Sequence, residues 1–248
     1  MSESSEGKKG IFDFNVLVII ATVLLIPLNL AFCGLIKASW LIILLGVVGA
    51  SGLPLWALVI AQGTYYNGST IRYMLIMLAG AIMSAYPYFL CFGEKSFKAQ
   101  SFFSLAFTAF VYLGSILLMD KFKVHAYKIL TSVTVLLLMI FVIRSDWALA
   151  LIPGYIVYLF KDKFIRLAYY MTSFSIVFLI VGIVMYMSQK GAGNTSEYLH
   201  MIAMSGSCLS LPLVRFYNED PVRRPIRYTP YIIYPLILLG LFFLKGLF

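Results

Sequence analysis

Residues 15–35 read NVLVIIATVLLIPLNLAFCGL and contain no aspartate, glutamate, lysine or arginine. About 20 consecutive apolar residues are enough for a helix to cross the ~30 Å hydrocarbon core of a bilayer. The segment can only be helical there, because backbone groups in lipid must find their hydrogen bonds within the segment. It is also longer than the roughly 7–15 apolar residues of a signal peptide, so we expect an uncleaved membrane span.

Eight further uncharged segments follow this one. They lie at about 40–61, 73–93, 99–119, 129–143, 147–160, 167–189, 198–214 and 228–244. The chain is 62% apolar and 12% charged, with a mean hydropathy of +0.94. Because a soluble domain carries roughly 25% charged residues, a soluble globular enzyme is excluded. We expect an all-α, polytopic integral membrane helical bundle of about nine transmembrane helices, with residues 1–14 as a tail and 15–248 as a single transmembrane domain.

The fifth and sixth segments, 129–143 and 147–160, are short. Only Arg144, Ser145 and Asp146 separate them, and each barely reaches across the hydrocarbon core even without tilt. They are two short crossings or a re-entrant hairpin, and the sequence leaves both open.

Small residues cluster in the second span, at Gly46, Gly49, Ala50, Ser51 and Gly52. Such residues let helix backbones approach closely in lipid. We favour packing within one bundle over a dimer interface.

The placement of basic residues predicts the orientation. With nine crossings and a cytoplasmic N-terminus, 13 of the 19 lysine and arginine residues fall on the cytoplasmic side. Cytoplasmic loops carry such an excess, so we expect the N-terminus inside. The net charge of +9 is spread over short loops, which does not favour nucleic-acid binding.

Few residues in the spans could carry chemistry. His200 is the one histidine in a span, and we favour an interfacial residue solvated by headgroups over a general base. His125 lies in a basic loop. Cys33, Cys91 and Cys208 are far apart and without metal-ligand spacing, so we expect neither a disulfide framework nor a bound metal.

The most polar feature is the loop from Arg215 to Arg227, which runs RFYNEDPVRRPIR. Its four arginines could hold an anionic group such as the phosphates of a nucleotide-type cofactor or a lipid headgroup. Positive-inside anchoring, with Tyr228, Tyr231 and Tyr234 in an interfacial aromatic belt, explains the same residues more simply.

Four motifs resemble those of the TraX family, polytopic bacterial inner-membrane proteins of conjugation systems. Residues 216–238, with YN at 217–218, basic residues to 227 and YPL at 234–236, are similar to the family's C-terminal signature of Tyr-Asn-Gly, basic residues, aromatics and Tyr-Pro-Leu-His. Residues 52–59, 71–88 and 25–29 are similar to three further family runs. The resemblance covers about residues 15–245.

This resemblance implies a function and a site. Family members are associated with N-terminal acetylation of the pilin subunit, which makes acetyl-CoA the implied donor. Arg223, Arg224 and Arg227 are then expected to bind the donor's phosphates, and Tyr217 and Asn218 to close the site. Asn29 and Tyr234 are expected to bind substrate. The implied partners are membrane lipids and pilin or another small membrane polypeptide.

Three positions depart from the family pattern. Ile26 and Pro27 replace an Asp-His pair, and Ile237 replaces the histidine after Tyr-Pro-Leu. Those polar residues are the ones that an acyltransferase would use to move a proton and to orient the base. The alternative is therefore a catalytically inactive relative that binds pilin or a similar polypeptide as an assembly factor.

Overall fold

The computed structural model describes residues 11–66, 69–92, 104–143, 147–188, 196–217, 222, 225–226 and 228–247. Within these ranges the protein is all helical and contains no strand. The helices are α1 (Phe14–Phe32), α2 (Ser39–Ala50), α3 (Gly52–Tyr65), α4 (Thr70–Phe92), α5 (Leu105–Met119), α6 (His125–Leu137), α7 (Leu151–Phe160), α8 (Phe164–Ser188), α9 (Ser196–Met204), α10 (Leu211–Arg215) and α11 (Thr229–Leu247).

Six described helical segments are long and apolar enough to cross a membrane. They are Phe14–Phe32, Ser39–Thr64, Thr70–Phe92, His125–Ile143, Phe164–Ser188 and Thr229–Leu247. Leu105–Met119 and Ala148–Phe160 are apolar but shorter. The protein is therefore a multi-pass membrane protein, as its composition predicts, while the count of nine crossings and the side of the N-terminus stay predictions.

The fifth span differs from its predicted bounds. It begins at His125, where we expected a loop, and α6 continues into a π-helical turn, Leu138–Ile143. The first four residues, 125–128, lengthen the span beyond its predicted bounds to 19 residues, which is long enough to cross. Only 11% of the residues in the most apolar stretch of this span are buried within the protein. We predicted a loop for this first turn because it follows and contains basic residues. A charged residue at a helix end can nevertheless be helical.

The eighth segment is not one regular helix. A 3₁₀ stretch, Ser205–Ser210, lies between α9 and α10. Within it Ser205 and Ser210 donate hydrogen bonds to the carbonyls of Ile202 and Ser207, at 2.6 and 2.7 Å. These serine hydroxyls compete for backbone carbonyls, which favours the tighter winding.

The small residues of the second span pack inside the bundle, as we favoured. A Cβ on Gly49 would overlap the Leu28 backbone of α1, and one on Gly52 would lie 2.7 Å from Leu24 Cβ. On the other side, a Cβ on Gly46 would lie 2.8 Å from Ala203 Cβ. The second span is thus held between α1 and the eighth segment.

Ring contacts show which helix ends lie together. Phe14 at the start of α1 lies 4.8 Å from Tyr66 after α3, between ring centroids. His125 at the start of α6 lies 6.0 Å from Phe160 at the end of α7. The Arg215 guanidinium at the end of α10 lies 5.2 Å from the centre of the Phe164 ring at the start of α8.

The helix ends joined by these contacts form one end of the bundle. Basic residues are concentrated there, and we call it the basic end. It carries eight of the ten described lysine and arginine residues: Arg72, Lys121, Lys123, Lys128, Lys161, Lys163, Arg166 and Arg215. The other two, Lys37 and Lys245, lie at the opposite end. The asymmetry predicted from the sequence is therefore present among the described residues.

Replacing Gly49 by alanine tests the close packing of the second span. The new Cβ has to displace the Leu28 backbone, and overpacking of this kind costs about 1–3 kcal/mol. We expect the Gly49→Ala protein to unfold at a lower temperature in detergent, measured by intrinsic fluorescence.

Gly114→Ala is the matched control, because a Cβ there meets nothing within 4 Å. Alanine in place of a helical glycine adds stability where it fits. Equal unfolding temperatures for the two variants would contradict the packing described here.

Candidate functional site

The N-terminal segment holds both edges of the last polar loop at the basic end. The amides of Ile11 and Phe12 donate to the Phe216 carbonyl at 2.8 and 3.1 Å. At the far edge of the loop, the Ile226 amide donates to Asn15 Oδ1 at 3.0 Å. The Asp13 carboxylate caps α1 by accepting a 2.8 Å bond from the Val16 amide. The first helix and its N-terminal residues thus fix where the loop leaves and re-enters the bundle.

A cavity of about 420 Å³ opens beside this loop. It is lined by Leu58, Lys161, Asp162, Phe164, Val214, Arg215 and Tyr217. Small-molecule sites commonly have volumes of roughly 300–1,000 Å³ and combine an apolar lining with a few polar groups. The volume of this cavity and its mixed apolar and charged lining are compatible with a small-molecule site.

Two helix ends supply the charged groups of the cavity. Helix α7 ends at Phe160, and the Lys161 amide donates to the Val157 carbonyl at 2.9 Å. The Lys163 amide donates to the Phe160 carbonyl at 2.9 Å. This tight turn puts Lys161 and Asp162 at the cavity wall before α8 begins.

Arg215 provides the second cationic group. It is the last residue of α10, and its guanidinium lies over the Phe164 ring. A cation over an aromatic face is attracted by the ring quadrupole, and Arg215 and Phe164 both line the cavity. A rigid guanidinium beside an ammonium group is a suitable arrangement for an anionic ligand such as a phosphate.

Among the residues that the structure describes, Asp162 is the carboxylate that lines the cavity. Two other aspartates have described side chains, and each accepts a hydrogen bond elsewhere: Asp13 from the Val16 amide, and Asp120 from the Tyr158 hydroxyl. Sequence reasoning missed both Asp162 and Lys161, since a short charged turn between two spans is common in membrane proteins.

The predicted donor-binding residues are only partly described. Tyr217 lines the cavity, and its role in closing the site stays a prediction. Asn218, Arg223, Arg224 and Arg227 lie outside the described residues. Their predicted roles stay predictions.

The two residues predicted to bind substrate do not line the cavity. Asn29 and Tyr234 are both completely buried. They are the sixteenth residue of α1 and the sixth of α11, so at ~1.5 Å per residue they lie roughly 22 Å and roughly 8 Å from the helix starts. Asn29 Oδ1 and the Tyr234 hydroxyl are buried without a hydrogen bond of ordinary geometry to any described residue. Their role in substrate binding stays a prediction.

The prediction that Tyr231 and Tyr234 lie in an interfacial aromatic belt is wrong. Tyr231 is 2% exposed, and its hydroxyl pairs with the Tyr73 hydroxyl at 2.9 Å. The rings of Tyr231 and Tyr234 lie 6.3 and 6.1 Å from the Trp56 ring. Helix α11 packs closely on α4, where a Cβ on Gly80 would be 3.0 Å from Tyr231 Cβ. This packing buries the two tyrosines in the core.

The three positions that depart from the family pattern do not face the cavity either. Ile26 is 41% exposed on the outside of the bundle. Pro27 and Ile237 are partly buried. None of the three lines the cavity. The positions at which the family carries its acid-base residues are therefore separate from this cavity.

His200 lies at the opposite end of the bundle from the cavity and is partly buried. Its ring stacks on Phe32, with centroids 3.8 Å apart, and meets Trp147 edge to face at 6.2 Å. One side of the ring is thus packed against protein side chains, and the prediction that His200 is an interfacial residue stays a prediction. Within the part of the chain that the structure describes, no three histidine, cysteine, aspartate or glutamate residues form a group that could hold a metal ion.

These features define a class: a multi-pass helical membrane protein with a basic, ligand-sized cavity at one end of its bundle. A family model described as "TraX protein" matches residues 15–245. The chain belongs to the TraX family. No curated protein and no solved structure matches it.

Proposed function

We propose that the protein acetylates the N-terminus of pilin in a conjugation or pilus system, with acetyl-CoA as the donor. The observation that carries the proposal is the cavity of about 420 Å³ at the basic end, where Lys161 and Arg215 line the wall beside Tyr217. Membership in the TraX family supports the same activity.

The proposed orientation places this end in the cytoplasm of a bacterial inner membrane. The basic end carries most of the described lysine and arginine residues, and such residues are enriched on the cytoplasmic side. Nine passes then leave the N-terminus inside and the C-terminus outside. Acetyl-CoA is available at the cytoplasmic face.

The donor's phosphates would be bound by the cations of this end. Lys161 and Arg215 line the cavity, and the loop that continues from Tyr217 carries Arg223, Arg224 and Arg227. Guanidinium groups bind phosphate with two parallel hydrogen bonds. Tyr217 and Asn218, where the loop begins, would close the site over the donor.

Asp162 is our choice for the group that accepts the amine proton. In the reaction the pilin amine attacks the acetyl carbonyl carbon, a C–N bond forms and the C–S bond of the thioester breaks. The proton leaves the nitrogen for a base, and the CoA sulfur leaves as thiolate or thiol. Asp162 is the carboxylate of the cavity lining, so it replaces the Asp-His pair that this chain lacks.

A second candidate is a non-catalytic relative that binds pilin during assembly. It is favoured by the absence of an ionisable residue at positions 26, 27 and 237 and by the outward direction of Ile26. Such a protein would retain the polypeptide-binding surface without the transfer reaction.

Donor binding tests the cationic wall. We expect Arg215→Gln and Lys161→Gln each to weaken acetyl-CoA binding to the detergent-solubilised protein by about tenfold, because a charge-assisted hydrogen bond contributes ~1.5–3 kcal/mol and ~1.4 kcal/mol is tenfold. Replacing Arg223, Arg224 and Arg227 together should abolish binding, as measured by equilibrium dialysis with labelled donor. Lys163→Gln is the matched control, since Lys163 is a neighbouring cation outside the cavity lining. Unchanged binding in all the cavity variants would remove the assignment.

Loss of the base should affect turnover and not donor binding. Asp162→Asn keeps the shape of the side chain and removes its basicity, so we expect acetyl transfer to fall by about 10²-fold or more. Asp120→Asn is the control, because Asp120 already accepts a bond from Tyr158. Full activity in Asp162→Asn would show that another group takes the proton.

The intact mass of the cognate pilin tests the activity itself. We expect pilin from cells with the gene to carry one acetyl group at its N-terminus and pilin from matched cells without the gene to lack it. An identical mass in both, with the membrane protein expressed and pilin co-purifying with it, would favour the non-catalytic relative instead.

A further inference from the structure

Two of the three cysteines meet at the opposite end of the bundle. Cys33 directly follows α1, and Cys91 is the second-last residue of α4. Both are buried and free, at 2% and 0% exposure. The Cys33 thiol donates to the Leu30 carbonyl at 3.3 Å, and the two thiols are close enough to interact with each other. The fold has therefore joined two thiols that are far apart in the sequence.

Lys245 fixes the same junction independently of the thiol contact. Its ammonium group donates to the Cys91 carbonyl at 3.1 Å. The same Nζ lies 3.9 Å from the position of a Cβ on Gly34, the residue after Cys33. Gly34 has a φ of +81°, a conformation that favours glycine and lets the chain turn away from α1. The ends of α1, α4 and α11 thus converge around the two thiols.

The third cysteine has different surroundings. Cys208 lies in the 3₁₀ stretch of the eighth segment and donates to the Ser205 carbonyl at 3.4 Å. It is partly exposed and is no partner of the thiol pair. It provides an internal reference for a free thiol in the same protein.

We propose that Cys33 and Cys91 form a disulfide bond that joins the ends of α1 and α4 on the non-cytoplasmic face of the membrane. This inference rests on the orientation given under the proposed function, because disulfides form and persist in oxidising compartments such as the bacterial periplasm and are rare in the cytoplasm. The sulfur atoms of a disulfide are ~2.05 Å apart, so the two free thiols have to approach each other for the bond to form.

The oxidant is a dithiol oxidase of the periplasm in its disulfide form. A thiolate of one cysteine attacks the oxidase disulfide, which gives a mixed disulfide and releases one oxidase thiol. The second cysteine then attacks the mixed disulfide and releases the other oxidase thiol. Two thiols of this protein lose two electrons and two protons, and the oxidase disulfide gains both. Because the pair is buried in the folded bundle, the exchange takes place while the helices assemble.

Peptide mass spectrometry under non-reducing conditions tests the bond in the full-length protein. Membranes are quenched with acid, dissolved in detergent with N-ethylmaleimide and digested without reductant. We expect a cross-linked peptide pair that contains Cys33 and Cys91, and maleimide on Cys208. Reduction should separate the pair.

Matched variants make the assignment specific. Cys33→Ser and Cys91→Ser should each abolish the cross-link and leave the remaining partner labelled by maleimide. Cys208→Ser should keep the cross-link. Maleimide on both Cys33 and Cys91 in the unmodified protein would overturn the proposal.

A separate readout of orientation distinguishes the two proposals. Alkaline phosphatase fused after Phe248 is active only outside the cytoplasm. An active fusion with free thiols would overturn the disulfide and leave the orientation of the proposed function standing. An inactive fusion with free thiols would overturn both.

Discussion

The fold depends on the direct backbone contact that glycines allow on both sides of the second span. Gly49 lies against the Leu28 backbone, and Gly206 in the eighth segment lies against the Val47 backbone. Neither position has room for even a methyl group. Since lipid tails are as apolar as leucine side chains, close packing rather than burial from water holds helices together in a membrane. The first, second and eighth segments therefore act as one unit, and the cavity at the basic end is built on it.

The sequence predicts the helical segments well, because the absence of charge over about 20 residues has one physical meaning in a bilayer. Its errors arise where polar residues are helical or aromatic residues are buried. His125 begins a helix instead of belonging to a loop, since the interface tolerates charge on the first turn. Tyr231 is in the core instead of the belt, since its hydroxyl finds Tyr73. Such pairing joins helices that are distant in the chain, and no local pattern contains it.

The cavity adjoins the loop on which the predicted site residues lie, but several of the residues that line it were not predicted. The resemblance drew attention to the last polar loop, and Tyr217 at its start does line the cavity. Lys161 and Asp162 come from a turn about fifty residues earlier, which adjoins the loop only because α7 and α10 end at the same level. Conversely, Asn29 is deep within α1. Motif position along a chain does not reveal depth along a bundle axis.

The pairing of the N-terminal segment with the last loop has a consequence for biogenesis. Ile11 and Phe12 form hydrogen bonds with Phe216, and Asn15 with Ile226. The first residues to be synthesised therefore pair with residues that are made roughly two hundred positions later. During synthesis the first helix enters the bilayer before its partners at Phe216 and Ile226 have been made. Contacts of such long sequence separation form late and slowly. A chain that ends before Arg215 therefore has neither the partners of its N-terminal segment nor a complete cavity lining.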